Sequence, residues 1–151
     1  MTITILTVGS RSKQEYEFLV QSFVKRMPRH ITVTIRYIKH ADGEPQSSIQ
    51  RESENLLKAI PKDNRVIVLD ERGTQYSSPE LSKVLFSRND NRDICIIIGG
   101  AHGVSELLRS RADIVWSLGA LVFPHQLVRI IVSEQIYRAH CIHIGHPYHH
   151  A

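Results

Sequence analysis

Apolar positions along the chain change their period repeatedly, and each change marks an element. Residues 3–9 form a short β-rich run closed by Gly9, a first strand. Ser12 and Glu15 stand at capping-box spacing. Tyr16, Leu19, Val20, Phe23, Val24 and Met27 then recur at helical intervals, predicting a helix that stops before Pro28. Residues 31–38 alternate Ile and Val with Thr and Arg, the pattern of a half-exposed strand. Residues 39–46 (KHADGEPQ) read as a polar loop and a candidate mobile segment. A weaker helix is predicted over 47–60, capped by Ser47 or Ser48 and stopped by Pro61.

The second half is richer in buried strand signals. Residues 65–70 (RVIVLD) are continuously apolar, which predicts a strand buried on both faces. A turn, ERGTQ, leads to Ser78 as N-cap with Pro79 at the first helical position, opening a helix to about Phe86. Residues 93–98 (DICIII) repeat the buried-strand pattern and end in the glycine-rich turn 99–103. A short helix over 104–111, a third central strand over 114–118 and a long helix over 125–141 complete the series. Strands alternate with helices throughout, so the predicted fold is α/β, with a mainly parallel sheet and helices on both faces. The last helix is apolar on nearly all sides, so it is either buried all round or shared with a partner chain across a twofold axis.

Composition narrows the class. A chain of 151 residues, 42% hydrophobic, fits one compact domain with a real core. The net charge of +4 leans mildly towards an anionic partner. Two cysteines are too few for a disulfide framework, and Cys95 sits in an apolar strand, so a reducing cytosol is expected. The first residues lack the pattern of a signal peptide, and no apolar run approaches a membrane span.

In open α/β sheets, ligands bind outside the carboxyl ends of strands. Three such ends stand out: Leu69 to Glu71, Gly99 with Gly100, and Leu118 to Ala120. Glycines at two of them allow close approach to the backbone. The first strand is not followed by GxGxxG, and GxxxxGK[ST] does not occur, which excludes those two phosphate cradles. Six of the nine histidines lie between 125 and 150. His140, His143, His146 and His149 recur every third residue, which resembles a metal array. However, Gly145 and Pro147 interrupt any regular helix, and no carboxylate lies within the cluster. No metal is therefore expected, and a basic, pH-sensitive surface for phosphate is the stronger reading. Lys25, Arg26 and Arg29 form a basic cluster that is either a solvated face or a phosphate contact. Arg129 reads equally as a structural link from the last helix or an RNA contact.

The ordered set of motifs carries a resemblance. Leu69, Asp70 and Gly73 give LD..G, and residues 97–103 give IIGGxxG. Residues 116–121 give WSLxxL, 124–129 PHxLxR, 137–139 YRA and 146–149 HPYH. In this order the chain resembles the RlmH (YbeA) family of SPOUT methyltransferases over most of its length. The resemblance implies a C-terminal trefoil knot, S-adenosyl-L-methionine as cofactor and a homodimer as the active unit. It implies N3 of a pseudouridine in helix 69 of 23S rRNA as acceptor, within the ribosome or its large subunit in the cytoplasm. It places the cofactor against Leu69, Gly99 and Leu118, Gly119, Ala120, Leu121, Val122 and Phe123. Arg138, His146, Tyr148 and His149 become the candidate catalytic residues, accepting the N3 proton or stabilising the anion. Val122 stands where the family commonly has Thr, and His150 where a terminal Arg is usual. A neutral His holds phosphate or an anionic base less firmly than Arg.

Two other readings compete. One is a SPOUT-like dimer that binds RNA or the ribosome without methyl transfer, which cofactor binding would discriminate. The other is a small-molecule α/β binding protein with a histidine-rich metal tail, which chelation would discriminate.

Overall fold

A computed structural model describes residues 1–11, 13–86 and 90–150. Five strands and five helices alternate along it. They are β1 (Thr2–Val8), α1 (Gln14–Val24), β2 (Thr32–Ile38), α2 (Pro45–Ala59), β3 (Arg65–Gln75), α3 (Ser78–Leu85), β4 (Ile94–Ile98), α4 (Glu106–Ser110), β5 (Ile114–Ser117) and α5 (His125–His143). The strands form one parallel sheet in the order β2-β1-β4-β3-β5, the α/β architecture that the alternating pattern predicts.

The period-2 geometry of a strand explains the two-sided core. Ile94, Ile96 and Ile98 of β4 face a cluster that includes Leu81, Leu85, Val132 and Ile136 from α3 and α5. Cys95 and Ile97 face the opposite cluster, with Leu56 of α2 and Leu108 of α4. β3 divides in the same way, with Ile67 on the first side and Val66 and Val68 on the second. Both strands are thus buried on two faces, as their unbroken apolar runs require. β2 lies at one edge and alternates between exposed and half-buried positions, as read.

β5 departs from expectation. It is the other edge of the sheet, paired only with β3, rather than a central strand. Its apolar residues lean on β3 and on the helical layer through Trp116, which belongs to the α3–α5 core. An apolar run therefore does not distinguish a covered edge from a centre.

The segment ERGTQ is not a simple turn. β3 pairs with β5 up to Leu69↔Trp116, and Thr74 then takes the same partner, so residues 70–73 bulge out of the ladder. Gly73 permits the return: a Cβ there would lie 2.6 Å from the Val115 carbonyl oxygen.

Helix starts also shift. α2 begins at Pro45, in the first turn, so the predicted Ser47 or Ser48 cap lies inside the helix. α3 is capped by Ser77, whose hydroxyl accepts from the Glu80 amide, while Glu80 accepts from the Ser77 amide, a capping box one residue ahead of the predicted cap. Ser12 of the first capping-box reading lies outside the described residues, and α1 starts after Lys13. The loop expected to be mobile is tied to α2. Glu52 accepts from the Ala41 amide (3.0 Å) and pairs with His40 (2.6 Å), and Ser48 donates to the Gly43 carbonyl (3.3 Å).

Arg129, in the first turns of α5, is 2% exposed. Its Nε donates to Thr7 Oγ1 (3.1 Å), Nη1 to the Ser10 carbonyl (2.9 Å) and Nη2 to the Val8 carbonyl (3.0 Å). Its guanidinium carbon also lies 5.1 Å from the centroid of the Tyr37 ring. This explains a polar Thr7 at a core-facing position of β1, and it settles Arg129 as a structural link within the chain. Arg129→Met is expected to lower stability by about 2–4 kcal/mol, because three donors vanish and buried carbonyls lose their partner. Urea unfolding measures this, and an unchanged midpoint would refute the clamp.

Candidate active site

The carboxyl ends of β3, β4 and β5 open onto one cleft of about 360 Å³. Each wall has a local cause. The β3 bulge supplies Leu69 and the charged run Asp70, Glu71 and Arg72. After β4, the Gly103 amide donates to the Gly100 carbonyl (3.0 Å), closing a tight turn. A Cβ on Gly99 would lie 2.7 Å from Val104 Cγ1 and 2.9 Å from the Gly103 carbonyl oxygen, so this wall is bare backbone. After β5, Ser117 Oγ accepts from the Gly119 amide (3.1 Å) and donates to the Gly119 carbonyl (3.2 Å). Gly119 has φ +132°, and a Cβ there would meet nothing within 4 Å, so its backbone faces open space.

Seven of the eight residues expected to hold a cofactor line this cleft: Leu69, Gly99, Leu118, Gly119, Leu121, Val122 and Phe123. Ala120 is exposed and does not line it. Leu121 and Val122 are 74% and 89% exposed, an open apolar lip. The cleft also contains groups absent from the sequence-based set. Asp70 was in view as part of a strand end. Its buried carboxylate accepts a bidentate pair from Arg72 (3.0 and 3.1 Å) and further bonds from Arg109 (2.9 and 3.2 Å). His125 opens the PHxLxR motif and was readable there. Burial pushes its imidazole below the usual range, with Arg129 adding to the effect and Glu52 opposing it. Glu52 had no sequence signal beyond a Glu on a helix. It does not line the cleft but stands behind it, its carboxylate filling the space that a Cβ on Gly100 would need. Apolar walls and bare backbone, with Glu71 at the rim, suit a small molecule that has both apolar parts and hydrogen-bonding edges. The volume falls in the ordinary range for such sites, roughly 300–1,000 Å³.

The four candidate catalytic residues assemble elsewhere. Arg138 donates to Glu134 Oε1 from Nε (2.9 Å) and Nη2 (2.6 Å), and the Tyr148 hydroxyl donates to the same oxygen (3.0 Å). The Arg138 guanidinium carbon lies 4.8 Å from the Tyr148 ring centroid, and its Nη1 lies 3.4 Å from His149 Nδ1. The Tyr148 amide donates to His146 Nδ1 (3.1 Å). Glu134 pushes the Arg138 pKa up through its hydrogen bonds. Burial, and then Glu134, push the Tyr148 phenol up. At neutral pH this group is an Arg138–Glu134 ion pair with the protonated Tyr148 phenol bonded to it. His140 turns inward instead, edge-on to Phe86 with ring centroids 5.6 Å apart. Among the described residues, no three His, Cys, Asp or Glu side chains converge as metal ligands.

The cleft and the tail do not meet within one chain. His125 and Arg138 lie on the same helix, thirteen residues apart, which at 1.5 Å per residue is about 20 Å.

With this geometry in place, comparisons with known proteins define the class. The family model described as predicted SPOUT methyltransferase matches residues 1–149, and the chain belongs to that family. Its relatives include proteins named Ribosomal RNA large subunit methyltransferase H. Those from Coxiella burnetii and Thioalkalivibrio sulfidiphilus are 40% and 37% identical, over 99% of this chain and of their own length. That from Geobacter metallireducens is 38% identical over the full length of both chains. A solved structure of a probable methylase family protein from Haemophilus influenzae shares the fold, with a TM-score of 0.57 at 14% identity. It covers 95% of this chain and 66% of that one. No helix among the described residues is long and apolar enough to cross a membrane.

His125 and His140 together set a pH dependence. Burial lowers both, and for His140 the neighbouring His30, His143 and His146 add to the effect. Below the unfolded value of about 6.5 the unfolded chain binds more protons than the folded one. Stability is therefore fully present above that pH and lost as pH falls beneath it. Urea midpoints at about pH 7.5 and 5.5 are expected to show this loss, reduced in His140→Phe. An identical acid loss in His140→Phe would contradict the assignment to His140.

Proposed function

We propose that the protein is an S-adenosyl-L-methionine-dependent methyltransferase of 23S rRNA that acts on N3 of a pseudouridine in helix 69. The observation that carries this reading is the cleft built by three adjacent strand ends in a chain of the SPOUT family. The relatives' names supply the substrate class. The cytoplasm, where ribosomes are made, is the corresponding compartment.

The cleft fits the cofactor. Leu69, Leu118, Leu121, Val122 and Phe123 wrap its apolar parts, the backbone of Gly99, Leu118 and Gly119 holds its polar edges, and Glu71 offers a carboxylate to its positive charge. When bound, S-adenosyl-L-methionine supplies a methyl group on a sulfonium. The chain's task is to bring an acceptor nitrogen in line with that group and the sulfur behind it. Arg138 stabilises the anion left when N3 loses its proton through Nη1, the nitrogen not bonded to Glu134, while Tyr148, which donates to Glu134, holds the guanidinium in place. His146 and His149 carry the imidazoles able to take the proton.

A separation of about 20 Å along α5 makes this site incomplete in one chain. We infer a homodimer in which the tail of one copy reaches the cleft of the other. Exposed apolar residues Phe18 and Leu19 of α1 and Leu121 and Val122 of the lip support a covered face. A trefoil knot belongs to the same proposal. From β4 the chain crosses by α4 to β5 beyond β3, then returns as α5 against α1 and α3.

Ribosomes incubated with the protein and labelled cofactor are expected to acquire methyl at one pseudouridine of helix 69, located by nucleotide mapping. Methyl on another nucleotide would overturn the substrate, and binding without transfer would favour the non-catalytic dimer. Mixing Gly99→Val with Arg138→Ala separates the two arrangements of the site. Random pairing makes half the dimers mixed, each with one intact site, so about a quarter of wild-type activity returns if the tail acts across the dimer. No return of activity places cleft and tail in the same chain.

A further inference from the structure

Six arginines are committed to acids. Arg65, Arg72, Arg92, Arg109, Arg111 and Arg138 each pair with a carboxylate. Lys25, Arg26 and Arg29, at and just beyond the end of α1, are exposed and make no ion pair among the described residues. Yet Arg26 is placed. Its guanidinium carbon lies 5.5 Å from the Phe23 ring centroid and 5.8 Å from that of Tyr137. Tyr137 stands edge-on to Tyr148 at 4.8 Å, and Tyr148 carries Arg138 over its face. A ladder of rings and guanidinium groups thus runs from the end of α1 to the proposed catalytic tail. The one acid in it, Glu134, already accepts from Arg138 and Tyr148 on Oε1 and from Gln135 on Oε2. Exposed His30 and His143 flank the same end of α5.

A guanidinium held beside two rings, with no acid on it, keeps its N–H groups available and loses little entropy when they are used. Without a carboxylate partner among the described residues, the groups suited to it are phosphates. We propose that Lys25, Arg26 and Arg29 form a contact surface for the phosphodiester backbone of RNA, extending the tail onto α1 and holding the substrate beside it. The proposal rests on the rRNA reading above and adds the surface that binds the strand. In this scheme Arg26 positions RNA through phosphate and does not touch the reacting atoms.

The test uses the full-length dimer, a fluorescent helix 69 hairpin RNA and purified large ribosomal subunits. Neutralising all three residues (Lys25→Ala, Arg26→Ala, Arg29→Ala) is expected to weaken hairpin binding by about 10- to 100-fold. It should also flatten the slope of log affinity against log salt by about 2–3, since each phosphate contact contributes roughly 0.7–0.9. KM for subunits should rise while kcat and cofactor affinity stay near wild type, because the cleft is untouched. Arg26→Lys, which keeps the charge and loses the planar fork, should preserve the slope and weaken binding a few-fold. A triple variant with wild-type slope and KM overturns the proposal while leaving the methylation reading intact. A variant that keeps hairpin binding yet loses the subunit also overturns it, and assigns the surface to a ribosomal protein. A wild-type protein that neither binds nor methylates RNA defeats both readings.

Discussion

The structure depends on one buried cation. Arg129 ties the start of α5 to the end of β1 through Thr7, Val8 and Ser10. That attachment fixes where α5 begins, and therefore the path of residues 118–124 that join it to β5. Those residues form a whole wall of the cleft, so a contact more than a hundred positions apart in sequence shapes the candidate site. A buried guanidinium is costly unless its donors are used, and three of them find oxygen acceptors, with Tyr37 against the face. The motif PHxLxR thereby acquires a physical meaning: His125 faces the cleft and Arg129 anchors the helix that carries it.

Much of this was legible in the chain. Strands with continuous apolar runs, β3 and β4, are buried on both faces, and the alternating β2 lies at an edge. The three strand ends read as candidate ligand sites do open onto one cleft, because parallel strands bring all their carboxyl ends to the same side. What escaped the sequence was long-range. β5 carries the apolar pattern of a centre strand but lies at the edge, since Trp116 is covered by helices whose position no local pattern reveals. The bulge at 70–73 reads as a polar turn because Asp70 and Arg72 satisfy each other outside the ladder. Glu52 looks like one more solvated helix residue, yet its carboxylate meets Gly100 and braces the β2–α2 loop. The histidine tail, broken by Gly145 and Pro147 and not expected to hold a metal, gave no sign in sequence of where each ring turns. In three dimensions its members diverge: His140 turns inward against Phe86, and His149 turns towards Arg138.

Placing the cofactor candidates at one end of α5 and the catalytic candidates near the other gives the proposed function its most demanding requirement. A rigid helix cannot fold back on itself, so a complete site calls for a second copy. The same arrangement puts the tail beside the unpaired cations of α1. One end of the molecule would then bind the methyl donor, while the other would present RNA to the partner.

Methyl transfer requires the cleft to hold the donor. Calorimetric titration of S-adenosyl-L-methionine into the wild-type protein and into Gly99→Ala tests it most directly. The predicted result is one cofactor bound per chain, weakened at least about tenfold in the variant, whose added Cβ must displace Val104 or the Gly103 carbonyl. A folded wild-type protein that gives no binding heat would contradict it.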